Sequence, residues 1–165
     1  MSKSKKKKKD KDKAAPNERV VTRNRKAKHD YIVHETLECG VALRGSEVKS
    51  LRGGTVSLNE AYARVREGEL WLVNCDIPEY FEASHFNHKP KRDRKLLLHR
   101  REIRRFAEQA AQKGFTLVPL EIYFKNGRAK VLVGICQGKQ KADKRQAMKK
   151  ADVDRALRQS MMRRR

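Results

Sequence analysis

The sequence predicts a mainly β domain, a small closed antiparallel barrel with two to three short peripheral helices and disordered basic tails. Two observations lead to this fold. In the middle of the chain, apolar and polar residues alternate over several short segments that strong turn signals separate. At both ends, lysine and arginine accumulate without any apolar period. Short antiparallel strands commonly close into a barrel, because closure removes exposed sheet edges.

Charge divides the chain into three parts. The formal net charge is +22; residues 1–19 carry nine lysines and arginines against three acids, and residues 139–165 carry eleven against three. Arms of this kind repel themselves and stay open until a polyanion neutralises them. We therefore expect a disordered arm over residues 1–19, a barrel over residues 20–138 and a basic tail over residues 139–165. Nucleic acid is a better match for this charge than an anionic membrane.

Composition also excludes several classes of protein. No apolar run approaches the roughly 20 residues that span a bilayer. The first residues are lysine-rich with no apolar stretch behind them, so no secretory signal is predicted. Cys39, Cys75 and Cys136 are odd in number and widely spaced. They are expected to be reduced, structural thiols of a cytoplasmic protein.

The first elements of the barrel are a strand and a short helix. A β segment begins at Tyr31-Ile32-Val33 and apolar residues resume after Gly40, so a hairpin with Cys39-Gly40 at its bend and a bulged continuous strand both fit. A helix of about two turns follows, with Ser46 as candidate N-cap and Gly53-Gly54 as its stop.

Two hairpins and a second helix complete the pattern. Residues 57–66 alternate and return after Glu67-Gly68-Glu69, whereas residues 78–95 indicate a loop or irregular strand. A helix starts near Arg100 and is expected to end at Gly114. Its apolar face consists of Ile103, Phe106, Ala107 and Ala110.

The last hairpin has the strongest turn signal. Asn126-Gly127 is typical of a type I′ turn. The alternating residues predicted to face the core are Val118, Leu120, Ile122 and Phe124 before the turn, and Ala129, Val131, Val133 and Ile135 after it. Barrels built this way resemble the OB type, which commonly binds RNA, although a fold alone does not assign a function.

A basic segment at residues 24–31 is the first candidate site. Its cations can meet phosphates, and His29 and Tyr31 offer planes on which bases stack. A solvated charge run before a strand explains the same composition, so both interpretations stay open on composition alone.

The order and spacing of several sequence motifs indicate a function more specifically than composition does. Residues 24–52 read NRKAKHDYIVHETLECGVALRGSEVKSLR. Further segments in order are Asn59-Glu60-Ala61-Tyr62, residues 94–102, Tyr123 to Gly127, Gly138-Lys139 and Asp143-Lys144-Arg145. Over about residues 22–158 the chain resembles the SsrA-binding protein family, also called small protein B.

The resemblance implies a non-enzymatic RNA-binding protein of bacterial trans-translation, with an oblate OB-like barrel. Proteins of this family bind the tRNA-like domain of transfer-messenger RNA. With elongation factor Tu and GTP they help to deliver it to ribosomes stalled on messages without a stop codon. The protein then takes the place of an anticodon arm at the small-subunit decoding centre, and its tail enters the messenger path. A cytoplasmic protein, monomeric when free and without a cofactor, is expected.

The resemblance also implies site residues. The expected RNA-binding residues are Asn24, Arg25, Lys26, Lys28, His29, Glu38, Arg94, Lys95, Leu97 and His99. Glu38 is unusual, because a carboxylate repels phosphate, yet it can accept hydrogen bonds from base amino groups or a 2′-OH. An ion pair with a nearby cation is the structural alternative. His99 stands where the family often has Asn or Lys.

The tail combines a hinge with a latent helix. Its expected ribosome-engaging residues are Lys139, Asp143, Lys144 and Arg145. Gln140 and Ala142 depart from the Lys and the aromatic or His frequent in the family. Weak helical periodicity over residues 143–162 predicts coil in solution and helix when docked on the ribosome. A simple solvated tail is the alternative.

Other functions have weaker support. A structural ribosomal protein or assembly factor would show the same basic arms, and is kept as the alternative. An RNA-modifying enzyme or nuclease needs an acid cluster, a metal set or a cofactor loop, and the sequence offers no catalytic residue for one. His85 and His88 have metal-like spacing, but no nearby Cys or acidic pair completes four ligands.

Overall fold

The computed structural model describes residues 18–112 and 114–140, positions 152, 153, 155, 157, 159 and 161, and only the backbone of residues 84–86. The strands are β1 Glu18–Arg23, β2 Tyr31–Val41, β3 Tyr62–Arg66, β4 Glu69–Val73, β5 Arg94–Leu97, β6 Phe115–Lys125 and β7 Arg128–Gly138. The α-helices are α1 Arg25–Asp30, α2 Gly45–Gly53 and α3 Arg100–Ala111, and a 3₁₀ helix covers Phe81–Phe86.

The strands form one antiparallel sheet that closes on itself. Its order is β1-β6-β3-β4-β5-β2-β7, and pairing of β6 with β7 closes six of the strands into a ring. β6 is long enough for one edge to pair with β3 at Leu117 and with β1 over residues 121–125. The predicted closed antiparallel barrel is confirmed.

The barrel interior holds the main core, and a second apolar cluster lies on the outer side of β6 and β7. Predicted inward residues of β7, such as Val131 and Val133, are fully buried in the main core. The prediction for β6 was only half right. Its register shifts between Pro119 and Glu121, and this bulge changes which side chains face inward. Ile122 enters the main core, whereas the residue pair before it, Val118 and Leu120, faces outward.

Close packing in the outer cluster requires a glycine. A Cβ on Gly134 would lie 2.9 Å from Leu120 Cδ1 and 3.1 Å from Cys136 Sγ. Leu120 can therefore lie directly over β7 only because position 134 has no side chain.

Local sequence signals predicted the last hairpin turn correctly but placed the ends of two helices incorrectly. Asn126 and Gly127 both have positive φ, as the predicted type I′ turn requires. The two-turn helix is α2, but its N-cap is Arg44, not Ser46. Helix α3 has its C-cap at Gln112, two residues before the predicted stop at Gly114.

The alternatives for β2 are also resolved. A hairpin at Cys39-Gly40 is wrong, because β2 is one continuous strand. It has a bulge, but at His34, where the register with β7 shifts between Val33 and Glu35. Glu18, two positions before Val20, already pairs in the sheet with Lys125.

A buried ionic network holds β5 against α2. Glu47 is inaccessible to solvent and accepts hydrogen bonds from Arg92 Nη2 at 2.6 Å, Arg94 Nε at 2.9 Å and the Arg44 N–H at 2.6 Å. Arg94 is equally buried and also donates to the carbonyls of Cys75 and Pro90. The network therefore fixes β5 and the loop that leads into it.

The same network makes stability depend on pH. Burial by itself would raise the pKa of Glu47, but hydrogen bonds from Arg92 and Arg44 and the charges of Arg94 and Arg92 lower it below its ordinary value of 4.5. A carboxylate with a lowered folded pKa stabilises the fold above its unfolded pKa. This contribution is lost as the pH falls through the folded pKa.

We expect Glu47→Gln to lower the free energy of unfolding by about 3–5 kcal/mol, because it leaves Arg94 as a buried charge without its counterion. Urea unfolding followed by the fluorescence of Trp71, the one tryptophan of the chain, measures this. Glu69→Gln is the matched control, since Glu69 and its partner Lys95 are about 40 % exposed and should lose less than about 1 kcal/mol. Similar small losses in both variants would contradict a structural role for the network.

Candidate nucleic-acid interface

Helix α1, which the sequence did not predict, is anchored by Asn24. The Asn24 side chain caps the helix by accepting the Ala27 N–H at 2.9 Å, and its amide donates to the carbonyls of Leu58 and Pro119. Only 3 % of Asn24 is exposed. Both N–H donors of the side chain and its oxygen therefore have intramolecular partners, and its part in the expected site is to position α1.

The rest of α1 presents cations to solvent. Ala27 is its one buried residue and packs on the outer cluster with Val118 and Leu120. The expected site residues Arg25, Lys26, Lys28 and His29 are exposed. No carboxylate among the described residues pairs with the first three of these side chains, whereas His29 Nδ1 lies 3.0 Å from Asp30 Oδ1. A short basic helix thus stands on the barrel with its charge available to a polyanion.

The root of the tail is attached to the end of α1. Lys139 donates from its backbone N–H to the Asp30 carbonyl and from Nζ to the Lys28 carbonyl, both at 2.9 Å. A cation at this end also complements the helix dipole. Lys139, where the expected tail begins, is therefore fixed relative to α1.

Glu38 lies on the same outer face as α1. It pairs in the sheet with Leu132, which packs against the outer cluster beneath α1. Tyr123 and Lys125 donate to Glu38 Oε2, the latter at 3.0 Å, and Lys130 Nζ lies 3.5 Å from Oε1. The ion pair that the sequence left open as an alternative is thus present.

These partners change the titration of Glu38. The hydrogen bond from Tyr123 lowers its pKa, partial burial opposes that change, and Lys125 and Lys130 lower it further. In turn, burial and the Glu38 carboxylate raise the pKa of Tyr123. Glu38 is a negative centre held among two lysines, with side-chain exposure of 35 %.

A shallow hollow beside Glu38 brings three expected residues together. Leu97 and His99 line it with Glu38 and Lys130. Leu97 is 51 % exposed and pairs with Gly40, where a Cβ would lie 3.1 Å from Leu97 Cβ. The absence of a side chain at position 40 therefore lets β5 present Leu97 beside Glu38.

Two other expected residues lie elsewhere. Arg94 is wholly buried, so the structure offers no side-chain surface there for RNA and gives the residue a positioning part. Lys95 is partly exposed, forms an ion pair with Glu69, and lines a groove on the far side of Leu97.

The tail is described only in part. Asp143, Lys144 and Arg145, three of its four expected residues, lie outside the described residues. The six described positions from 152 to 161 have helical backbone. Val153, Leu157 and Met161 follow one another at helical spacing and are more than half exposed.

Residues that suggested other chemistry have structural partners. His88 is buried, and its ring nitrogens lie 3.0 Å from Ser46 Oγ and from the Ile77 carbonyl. Nε2 donates to that carbonyl and Nδ1 is hydrogen-bonded to the Ser46 hydroxyl, so neither nitrogen points to a ligand. No group of three His, Cys, Asp or Glu residues in the described parts of the chain is placed to hold a metal ion.

The cysteines are buried and free. Burial raises the pKa of the thiols of Cys39 to about 12, of Cys75 to about 11 and of Cys136 to about 11. They stay protonated and unreactive near neutral pH. Within the described residues, no helix has the length and apolarity needed to cross a membrane.

A family model described as "SmpB protein" matches residues 21–163. The chain belongs to the SmpB family. Curated relatives support this along most of their length: an SsrA-binding protein of Ligilactobacillus salivarius is 47 % identical over 149 residues, covering 90 % of this chain and 96 % of the relative. One of Levilactobacillus brevis is 51 % identical over 138 residues, covering 84 % and 88 %.

A solved structure has the same SmpB fold. It is described as "tmRNA-SmpB: a journey to the center of the bacterial ribosome", and it matches with a TM-score of 0.63 and 49 % identity. The match covers 77 % of this chain and 93 % of the solved chain.

Sequence reasoning missed three residues of this SmpB surface. Tyr123, Lys125 and Lys130 surround Glu38 but come from β6 and β7, about 90 positions away. Each is an outward residue of an alternating strand, and this signal was present in the sequence. Their meeting with Glu38 depends on the register of β2 against β7, which alternation alone does not define.

Glu38→Gln is expected to reduce the free energy of unfolding by less than about 1 kcal/mol, because the lysines around it are partly exposed and Gln still accepts from Tyr123. Its effect should be largest near neutral pH and should vanish as the pH falls through the lowered pKa of Glu38, where the wild-type carboxyl is also neutral. Urea titrations at several pH values measure both. A loss of several kcal/mol would assign Glu38 mainly to the fold.

Proposed function

We propose that this chain binds the tRNA-like domain of transfer-messenger RNA and acts as an adaptor that carries this RNA to stalled ribosomes for trans-translation. The observation that carries the proposal is 47–51 % identity to SsrA-binding proteins over 84–90 % of the chain. The geometry supports it, because α1, Glu38, Leu97 and His99 lie on adjoining parts of one barrel surface.

Each part of this surface has a chemical role in the proposal. Arg25, Lys26 and Lys28 neutralise phosphates, which supply most of the affinity. Leu97 and His99 offer apolar and planar contacts to unpaired bases. Glu38 accepts hydrogen bonds from a base amino group or a 2′-OH. Oε1 is the freer oxygen, since its only cation contact among the described residues is Lys130 at 3.5 Å.

The tail has a separate role. In the proposal it enters the messenger path of the small subunit and becomes helical there, with Asp143, Lys144 and Arg145 engaging the decoding region. In the proposal, the attachment of Lys139 to α1 links the start of this tail to the helix that binds the RNA. Elongation factor Tu with GTP joins through the shared RNA, and the free protein is a cytoplasmic, non-enzymatic monomer.

A structural ribosomal protein is the alternative, suggested by the net charge of +22. The two functions differ in stoichiometry. A structural protein remains on idle ribosomes at one copy each, whereas an adaptor is substoichiometric and accumulates on stalled ones. Quantifying this chain on both kinds of ribosome separates them.

Leu97→Ala is expected to weaken binding to the tRNA-like domain about tenfold, which equals about 1.4 kcal/mol of lost apolar contact, with little change in stability. Fluorescence anisotropy with labelled RNA measures the affinity, and thermal unfolding measures the stability. Phe81→Ala is the matched control, because Phe81 is 99 % exposed on a different element. Equal affinities of the two variants would argue against the proposed surface.

Deleting residues 141–165 should leave RNA affinity within about twofold and abolish tagging of stalled peptides, because the barrel and the Lys139 contacts to α1 are retained. A reconstituted translation reaction on a message without a stop codon measures tagging. A second truncation after Gly138 also removes Lys139 and tests its attachment. Loss of RNA affinity parallel to the loss of tagging would contradict the separation of roles.

A further inference from the structure

A second groove adjoins the proposed RNA surface on the other side of Leu97. It lies between the β3–β4 hairpin, β5 and α3, and has a volume of about 610 Å³. Leu97 and Leu98 line both this groove and the hollow that contains Glu38 and His99. A chain that lies across the hollow can therefore continue into the groove without leaving the surface.

The charge of the groove is not balanced internally. Its two acids already have partners, because Glu69 pairs with Lys95, and Glu67 lies 3.8 Å from Arg66. Arg100 and Arg104 also line the groove. Within the described part of the chain, neither has a hydrogen-bond or ion-pair partner. The groove consequently carries two uncompensated guanidinium groups.

These arginines are at the unfavourable end of their helix. Arg100 and Arg101 lie in the first turn of α3, where the helix dipole is positive, Arg104 follows in the second turn, and the last turn contains no basic residue. Glu102, the one acid of the first turn, uses its carboxylate to accept the His99 N–H at 3.1 Å. Cations placed here destabilise a helix. Placing cations against the helix dipole breaks one of the local rules that proteins violate at functional sites.

The side chains suit a phosphate backbone. A guanidinium group binds phosphate through two parallel N–H donors. Arg100 and Arg104 are four positions apart and so lie on the same side of α3, one turn apart. Together they can hold a run of phosphates rather than a single anion.

We propose that Arg100 and Arg104 form a phosphate-binding groove that extends the RNA interface beyond Leu97 and holds the backbone of the tRNA-like domain. This inference rests on the proposed function, since it takes that RNA as the ligand. The groove reads no base and contributes affinity rather than sequence preference.

The test compares Arg100→Gln/Arg104→Gln with Lys89→Gln/Lys91→Gln, a pair of exposed cations that line neither the groove nor the hollow. Affinity for the in vitro transcribed tRNA-like domain is measured between about 50 and 200 mM salt, because over this range the affinity falls in proportion to the number of phosphates that the protein neutralises. The arginine variant should bind about tenfold more weakly and should lose nearly two from the slope of log affinity against log salt. The lysine variant should keep the wild-type slope.

Thermal unfolding separates binding from folding. Removing cations from the start of α3 should leave the melting temperature unchanged or raise it, so weaker binding in a stable variant supports the groove. Wild-type affinity and slope in the arginine variant, or equal losses in both variants, would overturn it. If the wild-type chain itself does not bind this RNA, the proposed function fails, and the groove fails with it.

Discussion

The bulge in β6 between Pro119 and Glu121 decides which face of the barrel carries the candidate site. Without it, Val118 and Leu120 would share a face with Ile122 and point into the barrel. Their outward direction creates the apolar cluster on which Ala27 packs. Helix α1 has no other buried residue. Its location, and that of its cations, therefore depends on this one irregularity of β6.

The opposite edge of the site depends on charge instead of apolar packing. β5 is short, and Glu47 and Arg94 fix its start from inside the protein. Burying such a pair is expensive, and it is tolerated here because Arg94 also satisfies three backbone carbonyls. In return, β5 presents Leu97 in a defined place. One side of the proposed interface is thus positioned by a bulge and the other by a buried ion pair.

Much of the barrel could be predicted, because alternation and turn chemistry are local. Asn126-Gly127 defines its hairpin with two residues, and β7 has no bulge at its core positions to disturb the pattern. Helix α1 could not be found this way. It has six residues and one buried side chain, so no period exists in its sequence. Its helical conformation depends on the Asn24 cap and on the tertiary contacts of Asn24 and Ala27.

Sequence motifs select candidate site residues but do not show which of them are accessible. Glu38 and Leu97 are accessible, whereas Arg94 and Asn24 are buried, although all four came from the same kind of motif match. Residue type misled here, because Arg is almost always exposed. Burial of Arg94 depends on Glu47 lying opposite it, 47 positions earlier in the sequence, and nothing local records that contact.

The cations of the described residues fall into two groups, those that pair with a carboxylate and those that do not. Arg92, Arg94, Lys95 and Lys130 are each paired with a carboxylate of the chain. On the two helices beside the candidate site, Arg25, Lys26, Arg100 and Arg104 have no such partner among the described residues. Unpaired cations on a folded surface repel one another at a cost to stability. Because a polyanion bound across both helices would relieve that repulsion, the excess charge is better understood as an arranged surface than as a property of the tails alone.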